Sequence, residues 1–191
     1  IDGIRFENSG TSTHDEGYRV ENIELVGGGG GTGIFIYNDA DDITLDHLKI
    51  TNFGIGVNPS GANAIASGNG LNEDITLRNS LIANNAGQGW LGSGTNVVIE
   101  NNHFINNGFA RTIYNHNIYV SGLHTARISN NYLYQAAIVD GQCQGVSLVG
   151  HGEMEDVVIS DNVVREDIGR ANGYCYGIAI DNAYATFEEF K

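Results

Sequence analysis

Short runs in which apolar and polar residues alternate fill this chain, and they recur in a fixed order. Six units share one form: Val20-Glu21-Asn22-Ile23-Glu24-Leu25, Leu45-Asp46-His47-Leu48-Lys49-Ile50, Leu77-Arg78-Asn79-Ser80-Leu81-Ile82, Ile99-Glu100-Asn101-Asn102-His103-Phe104, Ile128-Ser129-Asn130-Asn131-Tyr132-Leu133 and Ile159-Ser160-Asp161-Asn162-Val163-Val164. Each reads as a strand, an Asn-centred turn and a second strand. A further alternating strand precedes most units, at residues 33–37, 54–58, 117–121, 145–149 and 177–181, with 89–93 a less regular member. No stretch offers a sustained helical period with caps, so little helix is expected.

A unit of two to three dozen residues that recurs in this way predicts a solenoid, in which each coil buries its apolar side only against its neighbours. The expectation is an all-β parallel stack of about six coils, each with three strands and three turns, at a strand spacing of about 4.8 Å. Ile34/Ile36, Ile55/Val57, Ile118/Val120, Val146/Leu148 and Ile178/Ile180 should form an inward ladder along the first strands. Phe35, Tyr37, Asn58, Leu91, Tyr119, Ser121, Ser147, Ala179 and Asp181 should face outward. The third position of the unit reads Asn22, His47, Asn79, Asn101, Asn130, Asp161, a column expected to pair its side-chain amides up the stack.

Coil length varies. Between Leu45, Leu77, Ile99, Ile128 and Ile159 the intervals are 32, 22, 29 and 31 residues. The extra residues fall in 59–74 after one first strand, and in 106–116, 135–144 and 165–176 before the next ones. The last three should lie side by side on one edge of the first-strand sheet, where loops on a rigid scaffold carry binding and catalysis.

Composition sharpens this picture. The chain has 27 glycines and 23 asparagines in 191 residues, with one proline. Glycine is about twice as frequent as the usual ~7%, and both residues tolerate left-handed backbone at turns. The length suits a single domain spanning 1–191. With no initiator Met and a strand-like opening, the chain is expected to be a processed or partial piece of a longer one. The net charge is −14 with two lysines, Lys49 and Lys191, which argues against nucleic acid as a partner. No run is long and apolar enough to span a membrane.

The repeat resembles the right-handed parallel β-helix of the pectate-lyase-like superfamily, over almost the whole chain. That resemblance implies an extracellular protein acting on an acidic polysaccharide by β-elimination or C5-epimerisation. Its alternative is a non-catalytic β-helix for carbohydrate binding, adhesion or a fibre, with end-to-end contact to further coils or another chain. Uronate chemistry needs a group to offset the substrate carboxylate, a base and an acid. Residues 111–119 supply such groups: Arg111 and Asn115 for the carboxylate, His116 as base, Tyr114 as acid. Tyr119, Gln142, Gln144, Tyr174, Tyr176 and Asp181 would line the same edge and contact sugar. A glycosidase would instead need two outward carboxylates, for which Asp140 and Asp181 are the pair to nominate. The triplet Gly150-His151-Gly152 resembles a short glycosidase motif and stands alone.

Asp39, Asp41 and Asp42 crowd carboxylates into one turn, and the related lyases often use calcium, which takes several oxygen ligands. His14, His47, His103 and His124 share no metal-ligand spacing. Cys143 and Cys175 each stand two residues before a first-strand glycine. Stacked coils would bring them within reach of a disulfide, which implies an oxidising compartment; stacked free thiols are the other outcome.

Overall fold

In a computed structural model of the chain, residues 3–7, 17–37, 40–60, 72–110, 115–168 and 175–181 are described. These residues form nineteen strands and no helix. The first strands are β1 (Ile4–Glu7), β4 (Thr32–Tyr37), β7 (Ile55–Ser60), β10 (Trp90–Thr95), the opening halves of β13 (Ile118–Ser129) and β17 (Val146–Ser160), and β19 (Tyr176–Asp181). Middle strands are β2 (Tyr18–Glu21), β5 (Ile43–Asp46), β8 (Ile75–Arg78), β11 (Val98–Glu100) and the closing halves of β13 and β17. Third strands are β3 (Glu24–Val26), β6 (Lys49–Thr51), β9 (Leu81–Ala83), β12 (His103–Ile105), β14 (Tyr132–Tyr134) and β18 (Val163–Arg165).

Equivalent strands pair in parallel from coil to coil. First and middle strands belong to one eleven-stranded sheet because β13 and β17 run through both columns, and third strands make a six-stranded sheet. The expected all-β solenoid, with three strands per coil, is therefore the observed architecture. One element departs from it: β15 (Ile138–Val139) and β16 (Gln142–Cys143) form an antiparallel hairpin on the loop before β17.

Each corner of the coil is closed by a residue in left-handed backbone. Between middle and third strands these are Asn22, His47, Asn79, Asn101, Asn130 and Asp161, with φ between 51° and 57°. Asn and Asp enter this region most readily among non-glycine residues, which accounts for the column. All six side chains are exposed. The amide ladder expected of them belongs instead to the inward-pointing next residue of the last three coils, Asn102, Asn131 and Asn162. Asn102 Nδ2 donates to Asn131 Oδ1 (3.1 Å) and to the Leu77 carbonyl (2.9 Å). Asn131 Nδ2 repeats this on Asn162 Oδ1 (2.9 Å) and the Ile99 carbonyl (2.9 Å). A second ladder, Asn85–Asn107–Asn117, lines the corner between third and first strands and ends on Ser147 Oγ. Such ladders satisfy backbone groups that water cannot reach.

The core is a stack of apolar layers. Ile4, Ile34, Val57, Trp90, Ile118, Leu148 and Ile178 stand in one register column along the first strands. Ile34 through Leu148 are fully buried, each contributing on the order of 2 kcal/mol. The register differs by two residues from the sequence alignment at two coils. Val57, not Ile55, lies beside Ile34, and Leu148, not Val146, lies beside Ile118. Alternation is blind to a slip of two; glycine decides. Gly33, Gly56 and Gly89 stand one above another, and a Cβ on Gly56 would meet the Gly89 carbonyl oxygen at 2.5 Å and Ile82 Cγ2 at 2.6 Å. Ser147, expected outward, closes this corner column from a fully buried position. Ile178 and Ile180 are in the ladder as expected, yet 44% exposed each.

Candidate functional site

Asn115, His116 and Asn117 lead into β13, and the corner ladder fixes this entry by clamping Asn117 between Asn107 and Ser147. His116 is buried, 3% exposed, with Nδ1 2.7 Å from the Val146 carbonyl oxygen of the next coil. A carbonyl only accepts, so Nδ1 carries the proton and Nε2 keeps its lone pair. Burial lowers the imidazole pKa to about 4, against the opposing pull of the Val146 bond and with help from nearby His151. The ring is neutral at pH 7.

Tyr119 is three residues further on and half-buried. Its ring stacks on His116 at 5.7 Å between centroids and meets His151 at 5.3 Å, tilted by 48°. These three rings come from two coils. Residue spacing places Tyr119 beside His116; coil stacking adds His151, in register with Ser121 below and Asp181 above. In the sequence His151 stands in the glycosidase-like triplet Gly150-His151-Gly152, with nothing that ties it to residues 111–119. Its partners are about thirty residues away in the chain, a separation that only the correct register translates into contact.

Asn115 is buried and its Nδ2 donates to the Ala86 carbonyl at 3.3 Å. Gln142 and Gln144 belong to the hairpin loop, where Gln144 Nε2 donates to the Val139 carbonyl at 3.0 Å. Tyr176 is exposed at the start of β19, paired with Val146, whose carbonyl holds His116. Asp181 pairs with His151 along the backbone. Arg111, Tyr114, Tyr174 and Asp39 lie outside the described residues.

The cysteines form the expected bridge, Cys143–Cys175, with Cα atoms 5.7 Å apart. Their equivalence is not the expected one. Tyr176 pairs with Val146, so Cys175 stands opposite Gly145, and Cys143 reaches it diagonally from the hairpin. The bridge thereby ties the hairpin to the strand that follows the next loop.

Asp41 and Asp42 serve the backbone. Asp41 Oδ1 accepts the Glu73 N–H at 2.9 Å, and Asp42 occupies a left-handed corner at φ 54°. Among the described residues no group of three or more His, Cys, Asp or Glu is arranged to hold a metal ion. Asp46 is a different kind of carboxylate, nearly buried among Arg19, Arg78, His47 and Asn79 at 2.7–3.1 Å. Burial alone would raise its pKa, but hydrogen bonds from Asn79 and Arg78, the Arg78 charge and His47 bring it to about 2. This is a satisfied ionic node between coils. Glu166, by contrast, is pushed up to about 7 by burial, with its carboxylate accepting the Ala136 N–H and Asp167 nearby.

A concavity lies elsewhere. An open groove of about 730 Å³ follows the corner between middle and third strands, bounded by Asn22, Glu24, Lys49, Asn79, Asn101 and His103 among others. The first-strand face carries the ring cluster.

Comparison with known proteins agrees with the architecture. A family model described as right handed beta helix region matches residues 2–190. No curated protein and no solved structure matches the chain.

Proposed function

Since the chain belongs to the right-handed β-helix family, we propose that it acts on an acidic polysaccharide laid across the first-strand face, by β-elimination or C5-epimerisation. The finer kinship with pectate-lyase-like enzymes is part of this proposal. The observation that carries it is the His116–Tyr119–His151 cluster, in which an imidazole is held neutral and oriented beside a phenol and a second imidazole.

In elimination, His116 Nε2 takes the proton on the carbon next to the uronate carboxylate. The released electron pair forms the ring double bond, the bond to the adjacent glycosidic oxygen breaks, and Tyr114 protonates that oxygen. Arg111 offsets the carboxylate and so stabilises the carbanion that develops beside it. In epimerisation the proton returns to the opposite face and no bond to oxygen breaks. Tyr119 and Tyr176 offer ring faces to the sugars. The Cys143–Cys175 bridge fits a compartment outside the cytoplasm. No helix among the described residues is long and apolar enough to cross a membrane.

One observation favours a second reading, carbohydrate binding without turnover: His116 is nearly inaccessible and its Nδ1 is committed to the fold. Incubation with alginate, pectate and glycosaminoglycans separates the two, with absorbance of the unsaturated uronate and exchange of the C5 proton as readouts. Activity lost in His116→Ala and Tyr114→Phe, with folding retained, supports chemistry. Binding with neither double bond nor exchange supports the second reading. Absence of both binding and turnover on all these polymers overturns the proposal.

A further inference from the structure

The outward face of the third-strand sheet holds an aromatic strip that the first-strand chemistry does not use. In successive coils its leading column reads Glu24, Lys49, Leu81, His103, Tyr132 and Val163. Tyr132 and Tyr134 point the same way, two residues apart on β14, and their rings lie 6.0 Å apart and within 20° of coplanar. His103 joins the strip at 5.6 Å from Tyr132. The groove of about 730 Å³ ends at His103, so groove and strip run on into one another along the stack.

The groove's flank is the exposed corner column Asn22, His47, Asn79 and Asn101, in which His47 interrupts the amides and Asn79 Nδ2 donates to Asp46. The side chains of Asn22 and Asn101 hold no hydrogen bond among the described residues, while Ile23 and Leu81 supply apolar floor. Successive members of this column follow the coil spacing of about 4.8 Å, close to the length one sugar ring spans in an extended chain. Flat rings, with their negative faces, take the C–H side of a pyranose, and amides take its hydroxyls.

Charge decides which glycan fits. Lys49 is paired with Glu24 at 2.7 Å, and Arg165 with Asp167 at 2.8 Å. Arg165 also lies over the Tyr134 ring at 5.9 Å, and the Tyr134 hydroxyl donates to Asp167 at 3.1 Å. Both cations are compensated, and the whole chain carries −14, so the strip offers nothing to a carboxylated sugar.

We infer that the groove and aromatic strip on the third-strand face form a second carbohydrate site, for a linear neutral glycan. It anchors the protein on a polymer different from the one handled on the first-strand face, and it stands whether or not that face is catalytic.

Calorimetric titration of the full chain with xylohexaose, cellohexaose and mannohexaose tests this, with oligogalacturonate as the anionic control. At least one neutral hexaose binds. Tyr132→Thr/Tyr134→Thr keeps strand propensity and weakens that binding at least about tenfold, whereas Tyr132→Phe/Tyr134→Phe keeps it within about twofold. His116→Ala leaves it unchanged, and uronate turnover, where present, survives the threonine pair. If no neutral hexaose binds, or if a natively folded threonine pair binds as tightly as the parent, the inference is overturned. Loss of neutral binding in His116→Ala with retention in the threonine pair assigns the glycan to the other face and overturns it as well.

Discussion

Third strands and first strands of this solenoid are built to different tolerances. The six third strands are each three residues long and stack without a register shift. The first-strand column contains shifts between Gly92 and Gly94 and between Ser121 and Leu123, receives the hairpin and the disulfide, and holds the buried His116. The corner entering the third strands is uniform in its left-handed backbone, and in the coils of Asn102, Asn131 and Asn162 a second requirement, an inward amide, is met by the adjacent residue. Corners beside the first strands vary in length, and the chemistry-bearing side chains are found there. A repeat protein can thus keep its register at one corner and vary its loops at the others.

The contrast can be broken most severely at the uniform corner. Asn131→Ala removes the acceptor for Asn102 and the donor to the Ile99 carbonyl, all in buried surroundings. Stability in urea should fall by about 3 kcal/mol, since each stranded buried group costs about 1–3. Its exposed neighbour separates the two requirements: Asn130→Gly supplies the same left-handed backbone and should cost only a few tenths of a kcal/mol. Equal losses at both positions would refute the division of labour between them.

A smaller loss is expected at the glycine column. Gly56→Ala drives a methyl into the Gly89 carbonyl and Ile82, and overpacking of this kind costs about 2 kcal/mol. Gly28→Ala, where a Cβ meets nothing within 4 Å, should be close to neutral. Denaturation midpoints of the pair measure register control by sterics alone.

Proton linkage provides the finest test. His116 has its folded pKa lowered to about 4 from 6.5, so its contribution is complete above 6.5 and is lost as pH falls toward 4. Glu166 has its pKa raised to about 7 from 4.5. Its contribution is complete below 4.5 and is lost as pH rises through 7. The two slopes oppose each other across the same window and flatten the profile of the parent protein. Glu166→Gln should expose a fall in stability from pH 6.5 to 4, and His116→Leu a fall from pH 4.5 to 7. Below this range Asp46, with its pKa near 2, adds stability that is lost as pH drops from about 3.8 through 2.

Much of the architecture was legible in the chain because period-two alternation and a recurring Asn turn admit few other folds. The middle-strand column Val20, Leu45, Leu77, Ile99, Ile128, Ile159 holds in the structure residue for residue. Two things were not legible. The alternation of Ile55-Gly56-Val57 is the same in either register, so the contact between glycine and the next coil's carbonyl had to be seen. In the pair Asn101-Asn102 the sequence gives no sign of which side chain turns inward. For the site, nearness in sequence brought His116 and Tyr119 together, while His151 required the stacking. The cysteine pair was found because a diagonal reach tolerates the same two-residue error.

The continuity of β13 and β17 through the first corner has a mechanical consequence. In earlier coils a separate middle strand can detach while its first strand stays paired. From Ile118 to Ser129 and from Val146 to Ser160 the pairing resumes across the corner within one strand, interrupted only where the register shifts between Ser121 and Leu123. Amide protons along these two ribbons should therefore exchange with solvent in one concerted opening, and fraying should stop where they begin.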